Sequence, residues 1–480
     1  GGIVGTLTSV TNGTMTVQNC YNQGTVNGTY PNAVAGGIVG VLTATGTVKQ
    51  CYQAGEMTAA NVNAIVGIKN GNMEHCFYDT SYTPTDTAAT GIYHTNFATW
   101  GAAFGLNGES LSQMGDISWT YESGEYPTYG TLSGAESWDD VGRAAEQGFI
   151  TFTKPNTVPF KLGNALDLAW FAWKINHGYA LSNTVLTADI DLFGAEYTGY
   201  TGEKTIENID KALKWKPIGS STYSFKYIFD GGGHHITSLN VSETMYAGLF
   251  GIFNGATVKN ITIQSGSVVG GNRVGALAGA IDGTTIVENC HNAAAVNSTP
   301  ASGTVACNSG GLLGATIESS SAITLTVKNC SNSGNVDVYR EGGGILGNIN
   351  YPNVSVKVTI ENCWNRGDIT QRGSQAGYAV AGFGGILGSS GNGNTTTKIM
   401  NCYNAGNIST VQTEYEDRCK AIFGKGSTAS LSNCYYQSDL NGAVANDSNT
   451  VGLTKEQLQS WPAAFALNVQ SITGPWKYTE

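Results

Sequence analysis

A short pattern recurs along the chain and limits its possible folds more than any other feature. Gly36-Gly37-Ile38-Val39-Gly40 returns as Gly310-Gly311-Leu312-Leu313-Gly314, Gly343-Gly344-Ile345-Leu346-Gly347 and Gly384-Gly385-Ile386-Leu387-Gly388, with looser copies beginning at Ala247, Val274 and Ala421. A second element accompanies it: Asn19-Cys20-Tyr21-Asn22, Asn289-Cys290-His291-Asn292, Asn329-Cys330-Ser331-Asn332, Asn362-Cys363-Trp364-Asn365 and Asn401-Cys402-Tyr403-Asn404. Successive glycine elements stand 28 to 41 residues apart. A period of this size marks an architecture in which each repeat is one small unit stacked on its neighbours.

Apolar runs within a repeat are brief, as in Thr25-Val26, Ile38-Val39 and Thr47-Val48, and Gly, Asn, Ser and Thr separate them. That is the chemistry of short strands joined by turns. A solenoid absorbs the variation in repeat length as loops on one flank, which an antiparallel sheet of such strands does not. The expectation is an all-β fold, a right-handed parallel β-helix (β-solenoid), with tandem modules and short capping helices. Identical positions then stack at about 4.8 Å, and like side chains form ladders in which each amide bonds to the next. Asn289, Asn329, Asn362 and Asn401 are read as one such ladder.

Eight of the ten cysteines, Cys20, Cys51, Cys76, Cys290, Cys330, Cys363, Cys402 and Cys434, lie 9 to 16 residues after a closing glycine. After Gly251 the same place holds Ile261, so the position asks for a modest apolar group, which a buried thiol satisfies. Stacking would also bring neighbouring thiols within disulfide reach, so distance alone leaves both states open; the isoleucine favours reduced, inward-facing thiols. Cys307 and Cys419 fall off this ladder, three coils or about 14 Å apart, too far to bridge.

A longer period lies above the short one: Gly5 matches Gly347, Cys20 matches Cys363 and Trp100 matches Trp461, the offset drifting from 342 to 361. Residues 1–135 therefore read as the C-terminal part of a preceding module with its cap, and 136–480 as a complete module. Within the latter, 136–215 form an N-terminal cap region, 216–450 the solenoid and 451–480 a C-terminal cap. Apolar residues at helical spacing predict a helix over 165–178, ending in Asn-His-Gly. Thr454 and Gln457 stand in capping-box spacing and predict a second over 454–467, with a looser counterpart at 93–106. All three are assigned as caps over exposed strand edges. Both termini fall inside the repeat, so a fragment of a tandem array is expected, with any leader or anchor outside it.

Composition excludes several classes. With 65 glycines but only 10 prolines and no period of three, the chain is not collagenous, and no run approaches about 18 apolar residues, so no membrane span is expected. Twenty-four Lys and Arg against 35 Asp and Glu give a formal charge of −11, with the cations scattered singly, which speaks against nucleic acid. No His-Glu-x-x-His, Gly-x-Ser-x-Gly, Cys-x-x-Cys or phosphate loop occurs, so no metal, cofactor or catalytic residue is expected. The adjacent His234 and His235 are expected on opposite faces of a strand. Asp189 and Asp191 alternate onto one face about 6.6 Å apart, a separation compatible with paired-carboxylate chemistry, but are read as turn material.

The glycine and Asn-Cys-x-Asn elements, with Trp215-Lys216-Pro217-Ile218-Gly219, Phe229-Asp230-Gly231-Gly232-Gly233-His234-His235-Ile236 and Leu186-Thr187-Ala188-Asp189-Ile190-Asp191-Leu192, resemble the GLUG-motif proteins over nearly the whole chain. That resemblance implies large repetitive surface proteins, chiefly of Gram-positive gut bacteria, and regions beside the catalytic part of IgA-cleaving metallopeptidases. It implies a fold and a place, since the family shares no active site. The expectation is a non-enzymatic, extracellular, bacterial cell-surface protein acting as an adhesin-like stalk or fibre. Its partners would be further copies of the module, and a host glycan or protein or neighbouring fibres. The alternative is a carbohydrate-active β-helix enzyme, a polysaccharide lyase or glycoside hydrolase, or an accessory region of a surface protease. Loops at 338–341, 348–354, 371–383 and 410–418 carry the candidate contact residues Tyr339, Arg340, Tyr351, Arg372, Tyr378 and Tyr415.

Overall fold

The computed structural model describes every residue except 9–12, 83–85, 112–117, 300–306, 351–353, 373–381, 392–393, 412, 427–428, 441–448, 472 and 478–480, with the backbone alone for 413–415. Two compact units make up the chain: Gly1–Lys154 with Ala195–Thr201, and Pro155–Gly194 with Gly202–Glu480. The first unit thus extends past residue 135. Helix Trp138–Gln147, absent from the sequence reading, packs there: Ala144 lies against Gly101, and the Trp138 ring meets Tyr197 at 5.5 Å. Its start is a capping box between Ser137 and Asp140, and Gly148 ends it at φ +81°.

In the second unit the strands are parallel and stacked coil on coil. One turn runs through Asn308–Gly310, Leu313–Thr316, Ile323–Lys328 with Ser331–Asn332, and Val336–Val338; Glu341–Gly343 then opens the next. Each strand pairs with its counterpart one turn on, in registers such as Asn308↔Glu341, Leu313↔Leu346, Val327↔Ile360 and Val336↔Ile369. The largest sheet has sixteen strands, ten of them on a path from Phe160–Leu162 to Thr450–Leu453. Alternation within a strand decides what is inside: Ile323, Leu325 and Val327 are buried while Thr324, Thr326 and Lys328 are half-buried. This is a parallel, solenoid-like all-β fold, and its core is a stack of aliphatic layers.

Glycine permits the corners. A Cβ at Gly344 would lie 2.2 Å from the Gly385 carbonyl oxygen of the next coil and 2.3 Å from Cγ of Asn365. Two backbones and an asparagine approach there with no room for a methyl group.

Helix Ala165–Asn176 begins at Asn164, whose side chain accepts from the Asp167 amide, and Phe171 reaches Phe225 and Phe229 at 6.3 and 6.4 Å. The helix expected over 454–467 is two helices, Lys455–Leu458 and Trp461–Leu467. Pro462 sits in the first turn of the second, where its missing N–H and its ring are incompatible with an unbroken helix back to Leu458. The counterpart at 93–106 is likewise split, into His94–Phe97 and Trp100–Leu106. In the first unit Val4–Leu7, Val39–Leu42 and Val66–Lys69 form one parallel sheet, and Tyr21–Asn22, Tyr52–Gln53, Phe77–Asp79 and Thr90–Ile92 another. Trp119–Thr120 and Thr128–Tyr129 form an antiparallel pair.

Candidate functional site

The Asn-Cys-x-Asn element bends the chain at one corner of each coil that carries it. Its first asparagine is left-handed: φ is 52° at Asn289 and Asn329, 56° at Asn362 and 54° at Asn401 and Asn433. Asparagine tolerates that conformation better than most residues because its short amide bonds locally. These amides also bond along the stack. Nδ2 of Asn289 donates to Oδ1 of Asn260 (2.9 Å), Asn329 to Asn289 (3.1 Å), Asn362 to Asn329 (3.1 Å), Asn401 to Asn362 (3.2 Å) and Asn433 to Asn401 (2.8 Å). The second asparagine forms a buried column: Asn292 donates to Asn332, Asn332 to Asn365 and Asn365 to Asn404, each at 2.8 Å. Each also closes its own turn, as Asn365 does on the Gly367 carbonyl at 2.8 Å.

All ten cysteines are thiols. Cys290, Cys330, Cys363, Cys402 and Cys434 are buried at equivalent points of successive coils, and Cys290 stands in register with Ile261. Cys51 and Cys76 are buried and Cys20 half-buried in the first unit. Each thiol of the second unit's column donates to the carbonyl two residues before it, as Cys330 does to Lys328 at 3.0 Å and Cys402 to Met400 at 3.1 Å. Burial pushes the Cys330 and Cys402 thiols up, so they stay protonated and inert. Cys20 differs: hydrogen bonding with Cys51 draws it down to about 7 against the opposing effect of burial. Cys307 and Cys419 belong to another face, the first just before strand Asn308–Gly310 and the second opening strand Cys419–Lys420, and burial pushes each up to about 11.

The candidate contact residues do not gather. Tyr339 and Arg340 form a half-buried bend between two strands, with an Arg340 Nη2 to Glu341 Oε1 distance of 3.7 Å. Arg372 is exposed and pairs with Asp337 at 2.8 Å. Tyr351 and Tyr378, and the side chain of Tyr415, lie outside the described residues. The two histidines correct the expectation of opposite faces: Nδ1 of both His234 and His235 lies 3.1 Å from Oδ1 of Asp189. Strand alternation does not apply, because His234 still belongs to the turn made by Gly232 and Gly233, at φ +63° and +82°, and the strand begins at His235. Asp191 accepts from the Phe193 amide and Thr237 hydroxyl, so both carboxylates hold turns together. Among the described residues no three His, Cys, Asp or Glu side chains are placed to hold a metal ion.

A cleft of about 870 Å³ was not apparent in the sequence. It opens on the outer face of the largest sheet, under the last two helices, with Arg366, Tyr403, Gln437, Lys455, Leu458 and Trp476 among its walls. Tyr403, which follows a cysteine, lines it and is held by aromatic neighbours: Trp364 stacks on Tyr403 at 6.1 Å, Trp476 meets Tyr403 at 5.3 Å, and the Arg366 guanidinium lies 4.7 Å over Trp364. The signal available in sequence was the aromatic residue after Cys in several copies.

Parallel coils with repeated inward columns define a parallel, solenoid-like repeat protein. No family model matches the chain. Over 242 residues, 48% of the chain, it is 29% identical to Halomucin of Haloquadratum walsbyi, and it spans 2% of that protein's length. A solved structure of a putative immunoglobulin A1 protease from Bacteroides ovatus is similar at a TM-score of 0.45 and 20% identity, covering 66% of this chain and 90% of that one.

Proposed function

We propose that the chain is a non-enzymatic repeat region of an extracellular surface protein, an adhesin-like stalk or fibre of the GLUG-motif kind. The observation that carries this reading is the recurrence of one parallel coil, with its columns and terminal helices, in both units. Such repetition adds length without new chemistry. Similarity to Halomucin supports the extracellular part. The coils are taken as right-handed, as parallel crossovers overwhelmingly are, and the helices at 165–176 and 455–467 as caps over open sheet edges. Asp189 and Asp191, the carboxylates of the competing enzymatic reading, are engaged in turns, which favours the structural role. The experiment is electron microscopy of proteins built from one, two and three copies of residues 155–480. The ten-strand path gives nine steps of about 4.8 Å, so each copy should add at least about 4 nm to a rod. Globules of unchanged length would defeat the stalk reading, and a product from any polysaccharide incubated with the chain would defeat the non-enzymatic one.

A further inference from the structure

The first unit contains the same aromatic cleft already filled. Tyr52 pairs with Phe77 as Tyr403 pairs with Tyr435, and Asp79 pairs with Ile92 as Gln437 pairs with Leu453. Two residues beyond these last partners stand His94 and Lys455, each the first residue of its helix, and Phe97 and Leu458 close those helices. Asn107 brackets Trp119 through two hydrogen bonds of 2.8 and 2.7 Å, as Asn468 brackets Trp476 at 2.7 and 2.9 Å. Position by position, the walls correspond.

In the first unit the occupant is this chain's own segment Tyr126-Pro127-Thr128-Tyr129. The Tyr126 ring stacks on Tyr52 at 5.8 Å and 11° and meets Phe97 at 5.5 Å; its hydroxyl bonds to Asp79 and lies 2.6 Å from Nδ1 of His94. Pro127 presents its carbonyl to the Tyr52 hydroxyl at 3.0 Å, and Tyr129 packs on Trp119 at 4.8 Å. Every one of these partners has a counterpart in the second unit: Tyr403 for Tyr52, Leu458 for Phe97, Gln437 for Asp79, Lys455 for His94 and Trp476 for Trp119. All five line the cleft.

We propose that this cleft is a docking site for an extended, acidic Tyr-Pro-x-Tyr peptide of the kind formed by residues 122–131. The first tyrosine would enter between Tyr403 and Leu458, its hydroxyl meeting Gln437 and Lys455. Charge agrees with the assignment: Arg366, Lys455 and Lys477 line the cleft, whereas Glu122 and Glu125 precede the first tyrosine of the segment. Binding would follow strand-like addition, with side-chain sockets for the first and fourth residues of the motif. The inference concerns the cleft alone and does not require the fibre reading.

The probe is a fluorescein-labelled peptide of residues 122–131, titrated by anisotropy against the full 480-residue chain. One saturable site is expected. Replacing both peptide tyrosines by alanine should weaken binding at least tenfold, and so should Tyr403→Ala in the protein. Because Tyr403 is buried and its variant can fail to fold, exposed Lys455→Glu provides the second arm, with at least fivefold weakening and an unchanged circular dichroism spectrum. Three results would overturn the proposal: no saturation up to millimolar protein, equal binding of the alanine peptide, or binding lost with Tyr52→Ala yet untouched by Lys455→Glu.

Discussion

Truncating Asn365 to alanine tests what the buried amide column contributes. The side chain is fully buried and makes three hydrogen bonds of 2.8 Å: it donates to the Gly367 carbonyl and to Oδ1 of Asn404, and accepts from Nδ2 of Asn332. Its removal does not affect all three partners alike. Asn332 keeps a donor contact to the Gly334 carbonyl at 2.8 Å, and Oδ1 of Asn404 keeps a weaker one from the Gly406 amide at 3.3 Å. The Gly367 carbonyl loses this turn-closing donor, and one N–H of Asn332 is left facing a void. A buried polar group stripped of its partner costs about 1–3 kcal/mol, so Asn365→Ala should destabilise the second unit by about 2–5 kcal/mol. Urea unfolding followed by tryptophan fluorescence reads this as a lower midpoint, with exposed Asn394→Ala as control, expected within about 0.5 kcal/mol of the parent. Asn365→Leu separates the causes, because it restores volume but no hydrogen bond; it should recover little. If Asn365→Ala unfolds at the same midpoint as Asn394→Ala, the column does not stabilise the stack.

At the glycine corner, Gly344→Ala should cost more than about 3 kcal/mol or prevent folding, since the new methyl meets a backbone oxygen at 2.2 Å; a soluble variant with the parental urea midpoint would contradict this packing. Native-state labelling with iodoacetamide, read by peptide mass spectrometry, should modify Cys20 first. Its thiol is drawn down to about 7, so the thiolate fraction and the rate should climb between about pH 6 and 8 and then level off; a rate still rising tenfold per unit at pH 9 would contradict the lowered value. Cys330 and Cys402 should react only after unfolding, because burial both hides them and keeps them protonated.

The coil period, the strand content and the inward place of the cysteines were legible in the sequence because each is a local pattern repeated many times. Ile261 in the cysteine slot gave the burial of that slot, and the structure sets it directly against Cys290. The helix at 165–176 was equally plain, its apolar spacing and Asn-His-Gly stop being contiguous in the chain. Other features depended on which distant residues the stacking brings together. His234 and His235 turn to one carboxylate some 45 residues away because three glycines precede them, a geometry that strand alternation misreads. Gly344 is glycine because of Gly385 and Asn365 in neighbouring turns. The cleft at Tyr403 is made by residues from 366 to 477, and its likeness to the filled socket of Tyr126 emerges only when strand register aligns the two units. Periodicity travels along the chain and survives in sequence; coincidence between coils depends on register and on the length of every intervening loop, which only the folded stack sets.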